Sequence, residues 1–315
     1  MEEYKMIRRQ QAFGGNIKML KGGLHCHTTR SDGAGSPEVV IKHHYDHGYD
    51  FLALTDHRIY NFKDFAPDVP VTIIPGMEHD CTFERIKGFR CFHTVCIGPL
   101  KEDGNGFEQD ERMPSGSATC QEEYQPCLDE IASKNNLMIY CHPDWSSTPA
   151  RYFEKLEGYF AMEVWNSGGY FENDMDKDAP YWDEILSQGK RWYGVATDDG
   201  HGMGDHCNGW VMVNAENNVN DILAALKDGK FYSSCGPEIY DFYVENGVAV
   251  IECSEAAKVR LHSDRHPVRV RRAGETGLTR VEFGVGGEGD EYDYIRAVVI
   301  DKDGKYAWTN PIWFD

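Results

Sequence analysis

The chain has 315 residues, of which 41% are hydrophobic, so it can bury more core than one small domain needs. Its 52 acidic residues outnumber its 32 basic residues, which gives a net charge of −20 near pH 7. This charge repels phosphate backbones over the whole surface, and we therefore expect no nucleic-acid partner. A small anionic substrate stays compatible with the composition wherever metal ions or a few arginines reverse the field locally.

The amino terminus, MEEYKMIRRQQAF, lacks the apolar core of a signal peptide, and no stretch of about 18 apolar residues occurs elsewhere in the sequence. We expect a cytoplasmic protein with no membrane partner. The ten cysteines are scattered and form no Cys-x-x-Cys pair, so reduced and mostly buried thiols are expected rather than disulfides. The sequence leaves the oligomeric state open.

Strand-like and helix-like segments alternate along most of the chain. The segment SPEVVIKHHYDHGYD predicts a helix, because Ser36 can cap it, Pro37 suits its first turn, and Val40 and Ile41 belong to an apolar face. Strands are then predicted for DFLALTDH, VTIIPGMEH, FRCFHTVCIG, LMIYCHP, YFAMEVWNS, RWYGVATDDGH, GWVMVNA and FYSSCGP, and further helices for EEYQPCLDEIASKNN, APYWDEILSQGK and NDILAALKDGK. This alternation favours an α/β fold of parallel strands with right-handed crossovers, in a barrel or a doubly wound sheet.

The pattern changes after Gly236, where only strands and turns are predicted. The segment IYDFYVENGVAVIEC turns at the Asn-Gly dipeptide that begins at Asn246, and AVVIDKDGKYAWTN turns at the Asp-Gly dipeptide that begins at Asp303. Both dipeptides are signals for two-residue hairpins. We therefore predict two domains, an α/β domain over residues 1–236 and a small all-β sandwich over residues 237–315.

Polar residues recur at the carboxyl ends of the predicted strands, where barrels of this kind build their active sites. His25 and His27 are two residues apart and project to the same side of a strand, as do Asp199 and His201. In all, six histidines and three carboxylates are expected to converge: His25, His27, Asp32, His57, Glu78, His93, His142, Asp199 and His201. Imidazole and carboxylate without paired thiolates suit zinc, manganese, iron or cobalt. Because this set exceeds what one ion uses, more than one divalent metal ion is predicted.

The other seven histidines are excluded from this set. A single histidine more often forms a hydrogen bond in the core or at the surface than a bond to a metal. His43, His44 and His47 lie on the first predicted helix and are expected to face water. Also excluded are His79, His206, His262 and His266, although His206 is a candidate for the wall of the pocket.

The segments LHCHTTRSDG, YDFLALTDH, PGMEH, CHP and TDDGH occur in the order of the motifs of the polymerase and histidinol phosphatase (PHP) superfamily, which the chain resembles over residues 21–235. The tail, with GKFYSSCGPEI and DGKYAWTNPIWFD, resembles the branch that adds a C-terminal β-domain and includes carbamate-hydrolase-like proteins. The resemblance implies a distorted seven-stranded (β/α) barrel with two or three metal ions, and phosphoester hydrolysis.

Carried over position by position, the resemblance implies three metal sites: a first of His25, His27, Glu78 and Asp199, a second of Glu78, His93 and His142, and a third of Asp32, His57 and His201. Three-metal members often have a histidine where this chain has Asp32. Either Asp198 or Asp199 fits the first site, and the spacing of Asp199 to His201, which repeats that of the first two histidines, favours Asp199. Asp198 is then expected to orient a neighbouring ligand.

Two cations a few Å apart lower the pKa of the water between them and neutralise phosphoryl oxygens. We therefore predict a metal-dependent phosphoesterase that acts on a small phosphorylated metabolite, with Glu78, Asp199 and Arg58 as catalytic residues. Arg58 adjoins a predicted metal ligand and is the first candidate for a phosphate clamp. Further candidates are Arg30 and Arg151 for the clamp, with surface ion pairs as their alternative role, and Trp145, Trp165 and Asn166 for the substrate wall, although core packing explains both tryptophans equally well.

Two other functions are compatible with the same residues. A carboxyl ester or carbamate hydrolase would use the same metals, because activated water also adds to a carbonyl carbon. In a non-enzymatic alternative, the barrel is a scaffold that holds metal and the β-domain binds a sugar or a protein. The complete set of metal-ligating side chains argues against the scaffold.

Overall fold

The structure is a computed structural model that describes residues 9–14, 19–83, 91–175, 177–265, 268–286 and 292–314, so His266 lies outside the described residues. The described residues form a mixed α/β fold, in which the helices are α1 Pro37–Asp46, α2 Gln121–Ser133, α3 Ser167–Asn173, α4 Ala179–Ser187 and α5 Val219–Lys227. None of these helices is long and apolar enough to cross a membrane. All ten cysteines are free thiols, and most are buried.

The strands are short and occur throughout the described chain. Up to residue 234 they are β1 Gln10–Gln11, β2 Leu20–Gly23, β3 Phe51–Ala53, β4 Thr72–Ile74, β5 Gly76–Phe83, β6 Cys91–Ile97, β7 Gly116–Ala118, β8 Leu137–Tyr140, β9 Tyr159–Asn166, β10 Tyr193–Thr197, β11 Trp210–Val213 and β12 Phe231–Ser234. Beyond that point they are β13 Ile239–Glu245, β14 Val248–Ala256, β15 Lys258–Ser263, β16 Arg269–Arg272, β17 Leu278–Gly284, β18 Tyr294–Ile300, β19 Tyr306–Thr309 and β20 Ile312–Trp313. Each segment for which a helix or a strand was predicted contains one.

Two sheets carry the predicted metal ligands. One has the strand order β10-β9-β8-β6-β5-β7, and the other has the order β16-β15-β18-β19-β12-β11-β2-β3-β4, with β20 paired to β18. Strands β2, β3 and β4 are parallel, as are β8, β9 and β10. Strand β6, however, is antiparallel to both β5 and β8. Only residues 84–90 separate β5 from β6, and a parallel crossover needs about a dozen residues or more. The expectation of parallel strands throughout is therefore wrong at β6. It is also wrong at β11, which is antiparallel to both β2 and β12.

Helix α1 begins at Pro37, as predicted, and is followed by Gly48 in a left-handed conformation (φ 78°). Its buried face contains Val40, Ile41 and His44. His44 is 0% exposed, and the expectation that it faces water is wrong. The physical reason is helical periodicity, since residues three and four apart lie on one face and His44 follows two buried aliphatic residues at those spacings.

The first predicted hairpin turn is present and the second is longer than expected. Glu245 pairs with Val248, and both residues of the turn have positive φ, as a type I′ turn requires. In the second hairpin the backbone N–H of Asp301 donates to Lys305, so three residues lie in the loop, with Gly304 left-handed. The expectation of a two-residue turn there is wrong, because an Asp-Gly pair also suits a three-residue loop that ends in a glycine bulge.

The longer sheet crosses the predicted domain boundary. Strand β12 pairs with β19, where Ser233 lies opposite Trp308, so the C-terminal strands continue the sheet that β2 and β11 form. One apolar cluster likewise joins Trp165 and Trp182 to Val298 and Trp308. The division after residue 236 stays a prediction, and the two parts share a sheet and a core.

The position of Trp308 allows this shared core to be tested. Trp308 is 5% exposed and its ring centroid lies 5.5 Å from that of Tyr306 and 6.4 Å from that of Trp165. We expect Trp308→Ala to lower the free energy of unfolding by about 3–5 kcal/mol, because it removes a buried indole and leaves a cavity. Urea unfolding followed by circular dichroism measures the change. Tyr240→Ala, at a residue that is 59% exposed, is the control and should change it by less than about 0.5 kcal/mol. Equal unfolding midpoints for wild type and Trp308→Ala would contradict the shared core.

Candidate metal centre

Two backbone segments that follow strands β2 and β10 lie side by side and place four of the predicted ligands. The N–H of His27 donates to the carbonyl of Gly200 (3.1 Å), and the N–H of Asp199 donates to the carbonyl of His25 (3.0 Å). Strand β2 ends at Gly23 and β10 at Thr197, so the ligands lie just past the regular strands. An isolated bridge between Cys26 and Gly200 continues the pairing, and the side chains of His25 and His27 alternate with Cys26 as predicted. The expectation of strand alternation at Asp199 and His201 is wrong, because Asp199 has a left-handed backbone (φ 47°).

The carboxylate of Glu78 lies at the middle of the cluster and is 0% exposed. Its oxygens lie within 3.5 Å of five imidazole nitrogens: Oε1 is 3.3 Å from His25 Nε2, 2.9 Å from His93 Nδ1 and 3.5 Å from His142 Nε2, and Oε2 is 3.3 Å from His27 Nε2 and 2.9 Å from His57 Nδ1. These five histidines come from four separate segments of the chain, since His25 and His27 share one. A carboxylate in this position is able to bridge two ions.

Two overlapping groups of possible metal ligands contain most of the predicted residues. The first consists of His25, His27, Glu78 and Asp199, and the second of His27, Asp32, His57 and His201. Asp199 Oδ1 lies 3.1 Å from His25 Nε2 and 3.0 Å from His27 Nε2. The oxygens of Asp32 lie 3.5–3.6 Å from nitrogens of His27, His57 and His201. The structure thus brings all nine predicted side chains together, and His27 contacts both groups.

The charges of the cluster favour the binding of cations. Burial alone raises the pKa of Glu78, but His93, His25 and His57 outweigh it and hold that pKa well below its usual value. Burial lowers the pKa of His27, yet Asp199 and Glu78 raise it to about 9. The carboxylates therefore retain their charge and attract cations, and a divalent ion that binds here replaces protons on the imidazoles.

Several buried polar atoms of the cluster have no hydrogen-bond partner, which fits a metal centre. They include His57 Nδ1, His142 Nδ1 and Glu78 Oε2. His57 Nδ1 and Glu78 Oε2 are 2.9 Å apart, but they are not aligned as donor and acceptor. Buried polar groups are almost always paired. Lone pairs that converge without pairing are what a metal ion satisfies.

Glu163 holds two of the ligand segments by hydrogen bonds, and the sequence analysis did not predict this role. Its carboxylate accepts from His25 Nδ1 (2.7 Å), the Thr197 hydroxyl (2.6 Å) and the backbone N–H of His142 (2.8 Å). Because His25 Nδ1 donates, its Nε2 is left as the nitrogen that can bind metal. The available sequence signal was a single acid inside the apolar run of β9, YFAMEVWN.

Asp56 and Asp198 are buried acids that fix the loops carrying other ligands. Asp56 accepts from the N–H and hydroxyl of Thr28 (2.8 Å each) and from the Ser31 hydroxyl (2.8 Å), which holds the turn before Asp32. Asp198 accepts from the backbone N–H groups of residues 207–209 at 2.7–2.8 Å. Asp198 was expected to orient a neighbouring ligand. Its described hydrogen bonds instead go to a loop, whereas Asn166 Nδ2 donates to Asp199 Oδ2 at 3.1 Å.

An open cavity of about 410 Å³ gives access to the cluster and is lined by Asp32, His57, Glu78, His93, His142, Trp145, Gly168, Gly169, Glu172, Asp199 and His201. Trp145 is the predicted wall residue that reaches it, whereas Trp165 lines two other cavities. His142 and Asp199 both have positive φ (31° and 47°), a strained conformation for residues with a side chain. Such strain at a cavity is typical of functional sites.

The predicted phosphate clamps lie outside this lining. Arg58 has positive φ (58°) and its Nε forms an ion pair with Asp80 Oδ1 at 2.8 Å. Arg30 forms an ion pair with Asp110, as its alternative role predicted. Arg151 is exposed and lies over the ring of Tyr152. The described lining therefore contains no arginine or lysine.

The sequence matches no family model and no curated protein, but solved structures are similar. A two-domain protein from Bacteroides vulgatus, which contains a predicted PHP-like metal-dependent phosphoesterase, superposes with a TM-score of 0.50 over 97% of this chain and 99% of that chain, at 15% identity. An amidohydrolase from Chromobacterium violaceum, with bound sulfate and no metal, covers 58% of this chain and 88% of its own (TM-score 0.41, 15% identity). A candidate metal-dependent phosphoesterase from Bifidobacterium adolescentis has the same coverage (TM-score 0.37, 14% identity). The likeness to the Bacteroides vulgatus protein confirms the predicted resemblance at the level of the fold.

The supporting role of Glu163 can be measured through metal affinity. We expect Glu163→Gln to weaken zinc binding about 10–100-fold, because a neutral amide replaces the carboxylate that accepts from His25. Competition with a chromogenic chelator measures the affinity. Glu172→Gln is the matched control, since Glu172 is an exposed glutamate on the same cavity. Equal losses in the two variants, or none in Glu163→Gln, would contradict the role.

Proposed function

We propose that this protein is a metal-dependent hydrolase that cleaves a phosphoester bond of a small phosphorylated metabolite. The observation that carries the proposal is the buried carboxylate of Glu78, which lies within 3.5 Å of five imidazole nitrogens beside an open cavity. Oxygen and nitrogen donors around one bridging carboxylate suit divalent ions a few Å apart. The fold shared with the Bacteroides vulgatus protein agrees with this function.

We assign two or three divalent ions, zinc, manganese or iron, to these donors. The first would be held by His25, His27, Glu78 and Asp199, the second by Glu78, His93 and His142, and the third by Asp32, His57 and His201. When bound, a pair of divalent ions supplies an activated water and neutralises phosphoryl oxygens.

The other residues of the site orient these donors and shape the cavity. Glu163 holds His25 by its Nδ1, and Asn166 holds Asp199 by one carboxylate oxygen. The Trp145 ring lies 4.9 Å from that of His142 and closes one side of the cavity to water. Only a small substrate fits the volume that is left.

Arg58 is the proposed clamp for the phosphate group. Its guanidinium pairs with Asp80, whose Oδ1 lies 3.8 Å from His57 Nδ1. The side chain is 42% exposed, so it can leave Asp80 for a phosphate at the mouth of the cavity at little cost. The bidentate geometry of arginine suits that group.

We also propose that the strands of the first part form a distorted barrel and that residues 237–315 form a sandwich. Four of the ligands, His25, His57, His142 and Asp199, follow strands β2, β3, β8 and β10, which belong to the two parallel groups β2-β3-β4 and β8-β9-β10. One apolar cluster joins residues of β13 and β14, such as Phe242 and Ile251, to residues of β15 and β18, such as Val259 and Val299. Both features support the finer description of the two parts.

A carboxyl ester or carbamate hydrolase is the second candidate function. One observation favours it, namely that the described cavity lining contains acidic side chains and no lysine or arginine. A neutral carbonyl substrate needs no cationic side chain, whereas a phosphate group usually has one or more partners of this kind.

Hydrolysis of three chromogenic esters separates these functions. The chain is loaded with zinc or manganese and given p-nitrophenyl phosphate, bis(p-nitrophenyl) phosphate or p-nitrophenyl acetate, with the metal-free chain as the control. We expect metal-dependent turnover of a phosphate ester and little of the acetate. Metal-dependent turnover of the acetate alone would favour the second candidate. No metal-dependent turnover of any ester would contradict both.

The division of the donors into sites predicts different effects for two carboxylates. Glu78→Ala removes the bridge between two ions and should abolish hydrolysis together with metal binding, because the charge between two nearby cations is lost. Asp32 is 54% exposed at its side chain and belongs to the group of His27, His57 and His201, not to the group that contains Glu78. Asp32→Ala should therefore keep about two ions and measurable activity. Elemental analysis and turnover of both variants decide the matter, and an Asp32 variant as metal-poor as the Glu78 variant would contradict the division.

A further inference from the structure

A second cluster of metal-ligating side chains lies outside the candidate centre. It consists of His44 on α1, Asp198 after β10 and His206 in the following loop, which are 0%, 1% and 3% exposed. One ligand atom from each side chain lies within 4.8 Å of the other two. None of the three belongs to the nine residues assigned to the candidate centre.

The hydrogen bonds of His44 leave a lone pair that faces a carboxylate. His44 Nδ1 lies 2.8 Å from the carbonyl oxygen of Val40, which only accepts, so Nδ1 carries the hydrogen. Nε2 then has a bare lone pair, and it lies 3.5 Å from Asp198 Oδ2 without a hydrogen bond. Two acceptors that face each other in a buried position are unfavourable unless a cation lies between them.

His206 is the second histidine of this cluster with unpaired ring nitrogens. Neither of its ring nitrogens has a hydrogen-bond partner among the residues that the structure describes, although the residue is buried. A proton on His44 Nε2 would satisfy His44 and Asp198 but would leave both nitrogens of His206 unpaired. By contrast His79, another buried histidine, has Tyr124 and Pro114 as partners at 3.1 and 3.0 Å. Unpaired nitrogens on buried histidines therefore mark this cluster in the way that they mark the candidate centre.

We propose that His44, Asp198 and His206 bind a structural divalent ion of the zinc class, separate from the ions of the candidate centre. Two imidazoles and one carboxylate are ligands that zinc accepts. Asp198 is held in place for this purpose by three backbone N–H groups, those of residues 207–209. The ion ties α1 to the loop that follows Asp199 and His201, and so stabilises the segment that carries these two residues.

A surface cluster provides a route to this buried site. His43, His47 and Cys207 form another group of possible ligands at the end of α1, and these residues are partly or fully exposed. The ring centroid of His43 lies 4.4 Å from that of His47 and 6.3 Å from that of His206. An ion captured at the surface thus has further ligands on its way inward.

Zinc content of purified variants tests the proposal. The full-length wild type, His44→Gln and His206→Gln are saturated with zinc, passed through a desalting column and analysed for zinc per chain. We expect each variant to hold one equivalent less than the wild type. Lys42→Gln, at an exposed position of the same helix without a metal-ligating side chain, is the control and should hold as much as the wild type. Unchanged zinc in both variants, or a loss in the control alone, would overturn the proposal.

A measurement on the wild type avoids any dependence on the folding of the variants. Crystals grown with zinc give anomalous differences on either side of the zinc absorption edge. We expect a peak between His44, Asp198 and His206 that is separate from any peaks beside Glu78. Peaks beside Glu78 without one at this cluster would overturn the proposal, and so would a hydrogen-bonded water in its place.

Discussion

The carboxylate of Glu78, buried among five imidazoles, is the interaction on which the rest of the structure depends. A charge with 0% exposure costs several kcal/mol unless its neighbours compensate it. The compensation comes from histidines at the ends of separate strands and loops, so these segments are constrained to meet at one point. The sheets bring the segments near each other, and the charges select their final positions.

Three further buried acids hold the segments that meet at Glu78. Asp56 fixes the turn before Asp32, Glu163 joins two of the ligand segments, and Asp198 fixes the loop after His201. Each acid accepts several N–H or O–H groups, so its own charge is satisfied. The hydrogen bonds in turn stabilise irregular backbone, such as the positive φ of His142 and Asp199. Buried acids that accept several hydrogen bonds are thus the means by which short loops hold the ligands in place.

Prediction from the sequence succeeded where the signal was local. The projection of His25 and His27 to one side needs only the geometry of extended backbone. Prediction failed where the role of a residue depends on contact with a residue far away in the sequence. Glu163 has no partner nearby in sequence, and its role follows from His25, 138 residues away. The proximity of His44 to His206, 162 residues away, likewise follows from tertiary packing, although the periodicity of α1 indicates that His44 faces inward.

The sequence by itself determined the helices other than α3, most strands, the first hairpin and the residue types that meet at the centre, because periodicity, turn residues and side-chain chemistry are properties of short segments. Tertiary structure alone decided the antiparallel pairing of β6, the continuation of one sheet through β12 and β19, and the partners of each buried acid. These features depend on hydrogen bonds and charges between segments tens to hundreds of residues apart, whose energies no local pattern contains.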